Sequence, residues 1–390
     1  MSVTAAAGFR AAGVAAGLKS TGALDVALVV NDGPLSAAAG VFTANRAKAN
    51  PVLWSEQALH GGSARAVVLN SGGANCFTGS FGFQTTHQTA ERVARHLQIG
   101  AIEVQVCSTG LIGTGDETFR QGVLAGVDAA AAALDEDGAS EAAGLRAAQA
   151  IMTTDSVAKQ AVATGSGYTV GGMAKGAGML APGLATMLVV ITTDAVAESD
   201  VLDRALRAAT RITFDRLDSD GCMSTNDTVL LLASGASGAA ADEGELTAAV
   251  TAVCDDLAEQ LQLDAEGASH DITIEVRSAA TEDDAVTVAR SVARSNLFKA
   301  AIFGNYPNWG RVLAAIGTTD AAFDPYAVDV TFNGVRMCHA GTPDRPRDEV
   351  DLTPRATHIG IDLFAGDATA SIRTNDLTHD YVHENSAYAS

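Results

Sequence analysis

The densest run of residues able to do chemistry is Gly171-Gly-Met-Ala-Lys-Gly-Ala-Gly-Met-Leu-Ala-Pro-Gly-Leu-Ala-Thr186, followed at once by the apolar run Met187-Leu-Val-Val-Ile191. As a pattern, a glycine-rich loop brings one hydroxyl to the first position of a buried strand. Two readings fit it. In one, the loop is a tight turn and Thr186 merely opens a core strand. In the other, the Ala185–Thr186 peptide is held strained, the Thr186 hydroxyl attacks the preceding carbonyl, and the resulting ester hydrolyses. The product carries an N-terminal threonine. Its α-amine, with a reference pKa of about 7.7 to 8.0, is partly neutral near pH 7 and can deprotonate its own hydroxyl.

Such a nucleophile needs donors for the oxyanion. Val106-Cys-Ser-Thr109-Gly110-Leu-Ile-Gly113 supplies a strand end running into a small, polar loop with exposed N–H groups; a simple strand-terminating turn is the alternative. Other chemistries find less. No Walker loop and no Gly-x-Gly-x-x-Gly opening a helix is present, so a nucleotide cofactor is not expected. His379 and His383 stand four apart without a clear third ligand, and Asp218 and Asp220 lack the downstream glutamate of a calcium loop, so no metal is expected.

Lys175-Gly-Ala-Gly-Met-Leu-Ala-Pro-Gly-Leu-Ala-Thr-Met-Leu188 resembles the processing site of the ornithine acetyltransferase family. Asn70-Ser-Gly-Gly-Ala-Asn75, Cys107-Ser-Thr-Gly-Leu-Ile-Gly113, Met152-Thr-Thr-Asp155, Ser224-Thr-Asn-Asp227, Asp264-Ala-Glu-Gly267, Asn308-Trp-Gly-Arg311 and Glu384-Asn-Ser-Ala-Tyr388 resemble that family's motifs in its order, from about Gly8 to Ser390. Departures are modest: Gly73 and Gly183 stand where asparagine is common, and Cys222-Met223 replaces a more acidic pair.

The resemblance implies an α/β fold, a layered α/β/β/α sandwich of the N-terminal nucleophile type with a smaller C-terminal α+β domain. It implies a precursor cut between Ala185 and Thr186 into α and β chains that stay together as an (αβ)2 assembly. Carried over residue by residue, Thr186 would be the nucleophile, and the Thr109 hydroxyl and Gly110 N–H the oxyanion hole. Thr153, Lys175, Glu266, Asn385 and Ser390 would contact substrate. The expected reaction moves acetyl from N-acetylornithine to glutamate through an acetyl-threonine ester, in arginine biosynthesis and without a cofactor. Some relatives also use acetyl-CoA, so the donor range stays open. Two alternatives remain: a self-processing aminopeptidase or amidase of the same fold, and an inactive amino-acid-binding relative.

The elements that must position these residues are legible as short apolar runs alternating with helical periodicity. Strands are expected at Leu24–Val30, Arg65–Leu69, Ile102–Cys107, Thr186–Thr192, Thr228–Ala233, Ile272–Arg277 and Val328–Phe332, the last followed by an Asn333-Gly334 hairpin turn. Helices are expected at Gln84–Gln98, Glu141–Met152, Asp200–Asp215, Glu245–Leu263 and Glu282–Lys299. A small-residue stretch at Ser234–Glu245 suggests a domain boundary near residue 240, dividing the chain into 1–240 and 241–390. Gly341–Arg347 reads as a surface loop.

At 390 residues, 47% of them hydrophobic and 18% charged, the chain can bury a large core, which excludes disorder. A net charge of −21 without a Lys/Arg run argues against a nucleic-acid partner. Five scattered cysteines form no zinc-like grouping and fit reduced thiols. Neither a signal-peptide core nor a run of roughly 20 apolar residues is visible, so no membrane association is expected and the cytoplasm is the expected location.

Overall fold

The computed structural model describes residues 2–181 and 187–387, the side chains of residues 135 and 136 excepted. The expected cleavage-site residues Ala185 and Thr186, and the expected substrate contact Ser390, lie outside the described residues.

The chain opens with β1 (Phe9–Val14), β2 (Val26–Asn31), β3 (Ala38–Phe42), α1 (Asn50–Ala58), β4 (Ala66–Asn70), α2 (Gly79–Leu97), β5 (Val104–Ser108), α3 (Glu117–Asp137) and α4 (Glu141–Ala150). Next come β6 (Lys159–Thr164), β7 (Thr169–Lys175), β8 (Leu188–Thr193), α5 (Ser199–Ile212), β9 (Thr228–Ala233) and α6 (Glu243–Leu263). The last third holds β10 (Asp271–Ala279), α7 (Glu282–Ala293), α8 (Asn296–Phe303), α9 (Trp309–Ile316), β11 (Asp329–Phe332), β12 (Val335–His339), β13 (Thr342–Pro343), β14 (Ala356–Asp362), β15 (Ala368–Asn375) and α10 (His379–Ala387).

Strands that read as unbroken apolar runs are covered on both faces, and alternate residues serve different cores. One sheet has the order β1-β2-β4-β5 and the second β3-β9-β8-β7-β6. Ala27, Val29, Val67 and Leu69 of the first sheet meet Met173, Leu188, Val190 and Leu230 of the second. On the far side of the first sheet, Val26, Leu28 and Val68 pack under Val93 of α2 and Val127 of α3. Beyond the second sheet, Val189, Ile191 and Leu231 pack under Leu202 and Leu206 of α5 and Leu257 and Leu261 of α6. The layers therefore run helix, sheet, sheet, helix, as expected.

A third sheet, β13-β12-β11-β14-β10-β15, carries its own core, where Ile272, Ile274 and Val276 meet Val288 and Val292 of α7. Although α6 lies beyond residue 240, its buried face belongs to the sandwich. The change of core therefore falls in the segment 264–270, after α6.

The expected 282–299 helix is two helices. Ser295 accepts from Phe298 N at 3.3 Å and caps a new start, so α7 ends at Ala293 and α8 begins at Asn296. The first third of the expected glycine-rich loop is strand: Gly171 and Gly172 lie in β7, where a Cβ would meet Ser2 O at 2.2 Å and Val253 Cγ1 at 2.8 Å. The Asn333-Gly334 turn joins β11 to β12 with φ of 45° and 83°, as a two-residue hairpin turn requires. No helix among the described residues is long and apolar enough to cross a membrane.

Candidate active site

Sheet register gathers one row of strand ends. Lys175, the last residue of β7, pairs with Leu188, the first of β8, and Leu188 pairs with Thr228, the first of β9. In the facing sheet, Asn70 and Ser108 end β4 and β5 side by side. The polar residues that follow or precede these strands therefore meet at one edge of the sandwich.

The loop after β5 is built by two asparagines. Asn70 Oδ1 accepts from Ser108 Oγ at 2.6 Å, while its Nδ2 donates to Gly73 O at 3.1 Å. Asn226 Nδ2 donates to Ser108 O at 2.8 Å and Ala74 O at 2.7 Å, tying the loop before β9 to the end of β5. Thr109 is thus fixed by its N–H on Asn70 O at 2.9 Å and by its carbonyl, which accepts from Gly73 N at 3.0 Å. Gly110 takes φ +126°, and a Cβ there would stand 2.5 Å from Gly73 N, so only glycine fits. Among the described residues, no group accepts from the Gly110 N–H. A buried hydroxyl and a free amide on consecutive residues are the donor pair an oxyanion requires.

Lys175 reaches this loop from across the sandwich. Its Nζ lies 3.5 Å from Thr109 Oγ1 and 3.9 Å from Asp155 Oδ2, and its side chain is 1% exposed. Burial lowers the Lys175 pKa, and the Asp155 carboxylate opposes that. Asp155 is the electrostatic hub. It accepts from Lys159 Nζ at 2.7 Å, Gly176 N at 2.6 Å and Thr153 N at 3.0 Å. Burial alone would raise its pKa, but the Lys175 and Lys159 ammoniums and the Gly176 N–H outweigh it and hold the carboxyl at about 2.

Lys159 Nζ also contacts Asp264 Oδ2 at 2.5 Å, and this ion pair docks the 264–267 segment beside the 153–156 turn. Glu266 there accepts from Thr154 Oγ1 at 2.6 Å and from Asn385 Nδ2 of α10 at 2.9 Å. Gly267, at φ +60°, has no room for a Cβ, which would meet Tyr381 N at 2.2 Å, so α10 lies directly on the segment. Burial and the Glu266 and Asp380 charges push Glu384 above the ordinary carboxyl range.

Thr109, Gly110, Thr153, Lys175, Glu266 and Asn385 are thus joined through a short chain of contacts that also includes Asp155, Lys159 and Asp264. Sequence reading singled out none of these last three as functional, although the Met152–Asp155 and Asp264–Gly267 motifs contain two of them. Burial pushes the Cys107 thiol at the end of β5 up to about 12, which keeps it protonated at neutral pH. The Asn308–Arg311 motif serves α9: Asn308 caps Arg311 N at 3.2 Å, and Arg311 Nη1 donates to Leu297 O. His379 stacks edge-on against Phe303, 5.4 Å between ring centres, and no metal-holding cluster occurs among the described residues.

Comparison with known proteins gives the same picture along the whole chain. The ArgJ family model matches residues 10–390. A Streptomyces coelicolor protein named arginine biosynthesis bifunctional protein ArgJ is 64% identical over 390 residues, covering 100% of both chains. The protein of that name from Mycobacterium tuberculosis is 57% identical over 394 residues, covering 100% of this chain and 96% of its own. Among solved structures, ornithine acetyltransferase complexed with ornithine from Mycobacterium tuberculosis is 54% identical, with a TM-score of 0.44 over 48% of this chain and 96% of that one.

Proposed function

The chain belongs to the ArgJ family, and from that premise we propose that the edge where β5, β7, β8 and β9 converge moves an acetyl group from N-acetylornithine to glutamate. The chain is an acyltransferase of arginine biosynthesis. The observation that carries the site assignment is the Thr109–Gly110 pair, whose Gly110 amide has no acceptor among the described residues, lying 3.5 Å from Lys175 beside the start of β8.

Thr186, bonded to Met187 at that start, is the nucleophile. Cleavage before it frees the α-amine that serves as its base, and the hydroxyl then takes acetyl as ornithine leaves. Thr109 Oγ1 and Gly110 N–H hold the oxyanion of each tetrahedral intermediate. Lys175 pairs with the α-carboxylate of the amino acid and Glu266 with the side-chain ammonium of ornithine. Thr153, Asn385 and Ser390 complete the enclosure, Asn385 by orienting Glu266. An amide is exchanged for an amide, so no energy source is required. Acetyl-CoA would serve as a second donor at the same threonine, and the two chains from one precursor would remain paired in an (αβ)2 assembly.

The aminopeptidase and inactive-relative readings are not favoured, because relatives at 57–64% identity over the full chain carry the biosynthetic name. Incubation with N-acetylornithine and glutamate is expected to yield N-acetylglutamate in step with ornithine, with a single acetyl on Thr186 when glutamate is withheld. Release of acetate in place of N-acetylglutamate would overturn the transferase reading in favour of a hydrolase.

A further inference from the structure

Donor and acceptor of the exchange bring opposite side-chain charges to one site. Ornithine carries an ammonium that suits Glu266, whereas glutamate carries a carboxylate that Glu266 repels. A single site that serves both therefore needs a cation within reach of the same side chain.

Beside Glu266 the fold holds a cavity of about 470 Å³, lined by Glu266, Ser219, Asp220, Asn296, Lys299 and Tyr381. That volume falls in the range of small-molecule sites, roughly 300 to 1,000 Å³. Short links run along its wall from Glu266 to Lys299. Gly178 lies against Glu266, where a Cβ would stand 2.4 Å from Oε2. The next residue, Met179, donates its N–H to Asp220 Oδ2 at 2.7 Å, and the carbonyl of Ser219, the neighbour of Asp220, accepts from Lys299 Nζ.

Lys299, in α8, is only 6% exposed. Among the described residues its ammonium donates to Ser219 O alone and forms no ion pair, which leaves two of its three donors unaccepted. The carboxylates around it are engaged elsewhere. Asp218 accepts from Arg294 Nε at 2.7 Å, and Asp220 also accepts from Cys222 N at 3.1 Å. Asp376 accepts from Ser269 N at 2.9 Å and His270 N at 3.0 Å. Burial lowers the Lys299 pKa, and the charges of Asp220, Asp218 and Asp376 oppose that only in part. A buried ammonium with spare donors beside a cavity is a site for an anion.

We propose that Lys299 receives the side-chain carboxylate of the acetyl acceptor, so that one cavity serves the two amino acids through two opposite charges: Glu266 for the ammonium of ornithine and Lys299 for the carboxylate of glutamate. The inference rests on the transferase reading above and on the role given there to Glu266. It assigns Lys299 to acceptor specificity, since the donor half of the exchange makes no use of it.

The test reads the two half-reactions separately on cleaved enzyme. Acetyl loading from N-acetylornithine is followed as the burst of ornithine, and discharge as kcat/KM for glutamate and for its uncharged analogue glutamine. Wild type is expected to favour glutamate. Lys299→Met keeps an unbranched stem without the charge, and should lower kcat/KM for glutamate roughly tenfold to a hundredfold, the range for a hydrogen bond to a charged group. Glutamine and the loading burst should change little. Asn296→Asp adds a carboxylate three residues before Lys299, in the first turn of α8 where negative charge is favoured, and should weaken glutamate in the same direction. Equal use of glutamate and glutamine by wild type overturns the assignment, as does full glutamate preference in Lys299→Met, or in Asn296→Asp should the first variant fail to fold. Equal losses in loading and with both acceptors would make Lys299 a structural residue and overturn it too. Failure of wild type to load acetyl from N-acetylornithine would instead overturn the transferase reading itself.

Discussion

Asp155→Asn tests whether the buried charge cluster holds the site together. The Asp155 side chain is inaccessible to solvent and lies between two buried ammoniums, Lys159 at 2.7 Å and Lys175 at 3.9 Å. A carboxyl held at about 2 in place of 3.8 represents roughly 2 kcal/mol of preference for the folded state. Its folded pKa is the lower one, so this stabilisation is complete above the unfolded value and is lost as pH falls from about 4 toward 2.

Replacement by asparagine does more than remove that term. Lys159 keeps Asp264 at 2.5 Å, but Lys175 loses its nearest counter-charge while remaining buried. Breaking a buried pair in this way costs about 3 to 5 kcal/mol. For a cooperative unit of this length, with an unfolding entropy of about 2.1 cal/mol/K per residue, the melting temperature should fall by roughly 4 to 6 °C at pH 7. Calorimetry at pH 7 and near pH 3 reads both effects: the gap to wild type should narrow in acid. Asp155→Asn with Lys175→Met should recover part of the loss, because the stranded ammonium is removed while Lys159 keeps Asp264. Equal melting temperatures at pH 7, or a gap that does not narrow in acid, would refute the assignment of Asp155 as an ionised hub.

Thr109→Ala, assayed as fully cleaved enzyme, should lower kcat roughly a hundredfold or more, about 2.7 to 4 kcal/mol, with a much smaller change in KM; near-normal kcat with poor binding would make Thr109 a binding residue. Asn385→Ala removes the 2.9 Å donor to Glu266 from an exposed helix. Steady-state kinetics should show KM for N-acetylornithine raised about fivefold, the equivalent of about 1 kcal/mol, with little change in kcat or melting temperature.

The sandwich was legible where its strands were. Val26–Asn31, Ala66–Asn70, Leu188–Thr193 and Thr228–Ala233 are buried throughout and apolar except at one end, because both faces are covered, and such runs announce themselves. Helix α3 escaped notice because Gly122 and Gly126 look like breakers. In the fold they are where the helix touches the N-terminal segment and β2, a Cβ meeting Leu18 Cδ2 at 2.7 Å and Val26 Cγ2 at 2.5 Å. The β6–β7 hairpin was hidden likewise, since Gly171 and Gly172 sit in a strand against neighbours too close for side chains. A glycine chosen for close approach and a glycine chosen for a turn are the same letter.

For the site the division is different. Thr109, Gly110, Lys175, Glu266 and Asn385 became visible only through ordered motifs, because each is locally an ordinary turn, strand-end or terminal residue. Asp155 was less visible still. Before a fold exists, an aspartate in Thr-Thr-Asp-Ser is a turn former. What makes it functional is burial supplied by distant segments.

That burial links stability to chemistry in a specific way. Lys159 bridges Asp155, which faces Lys175, and Asp264, which stands two residues before Glu266. The bridge therefore couples the lysine at the end of β7 to the carboxylate that α10 steadies through Asn385. A loss at Asp155 should reach Glu266 through Lys159 and Asp264, so Asp155→Asn should raise KM as well as lower the melting temperature. Were the cluster only a stabilising device, Asp155→Asn would lower the melting temperature and leave KM at the wild-type value. Lys159→Met, which severs the links to Asp155 and Asp264 together, should raise KM at least as much as Asp155→Asn does.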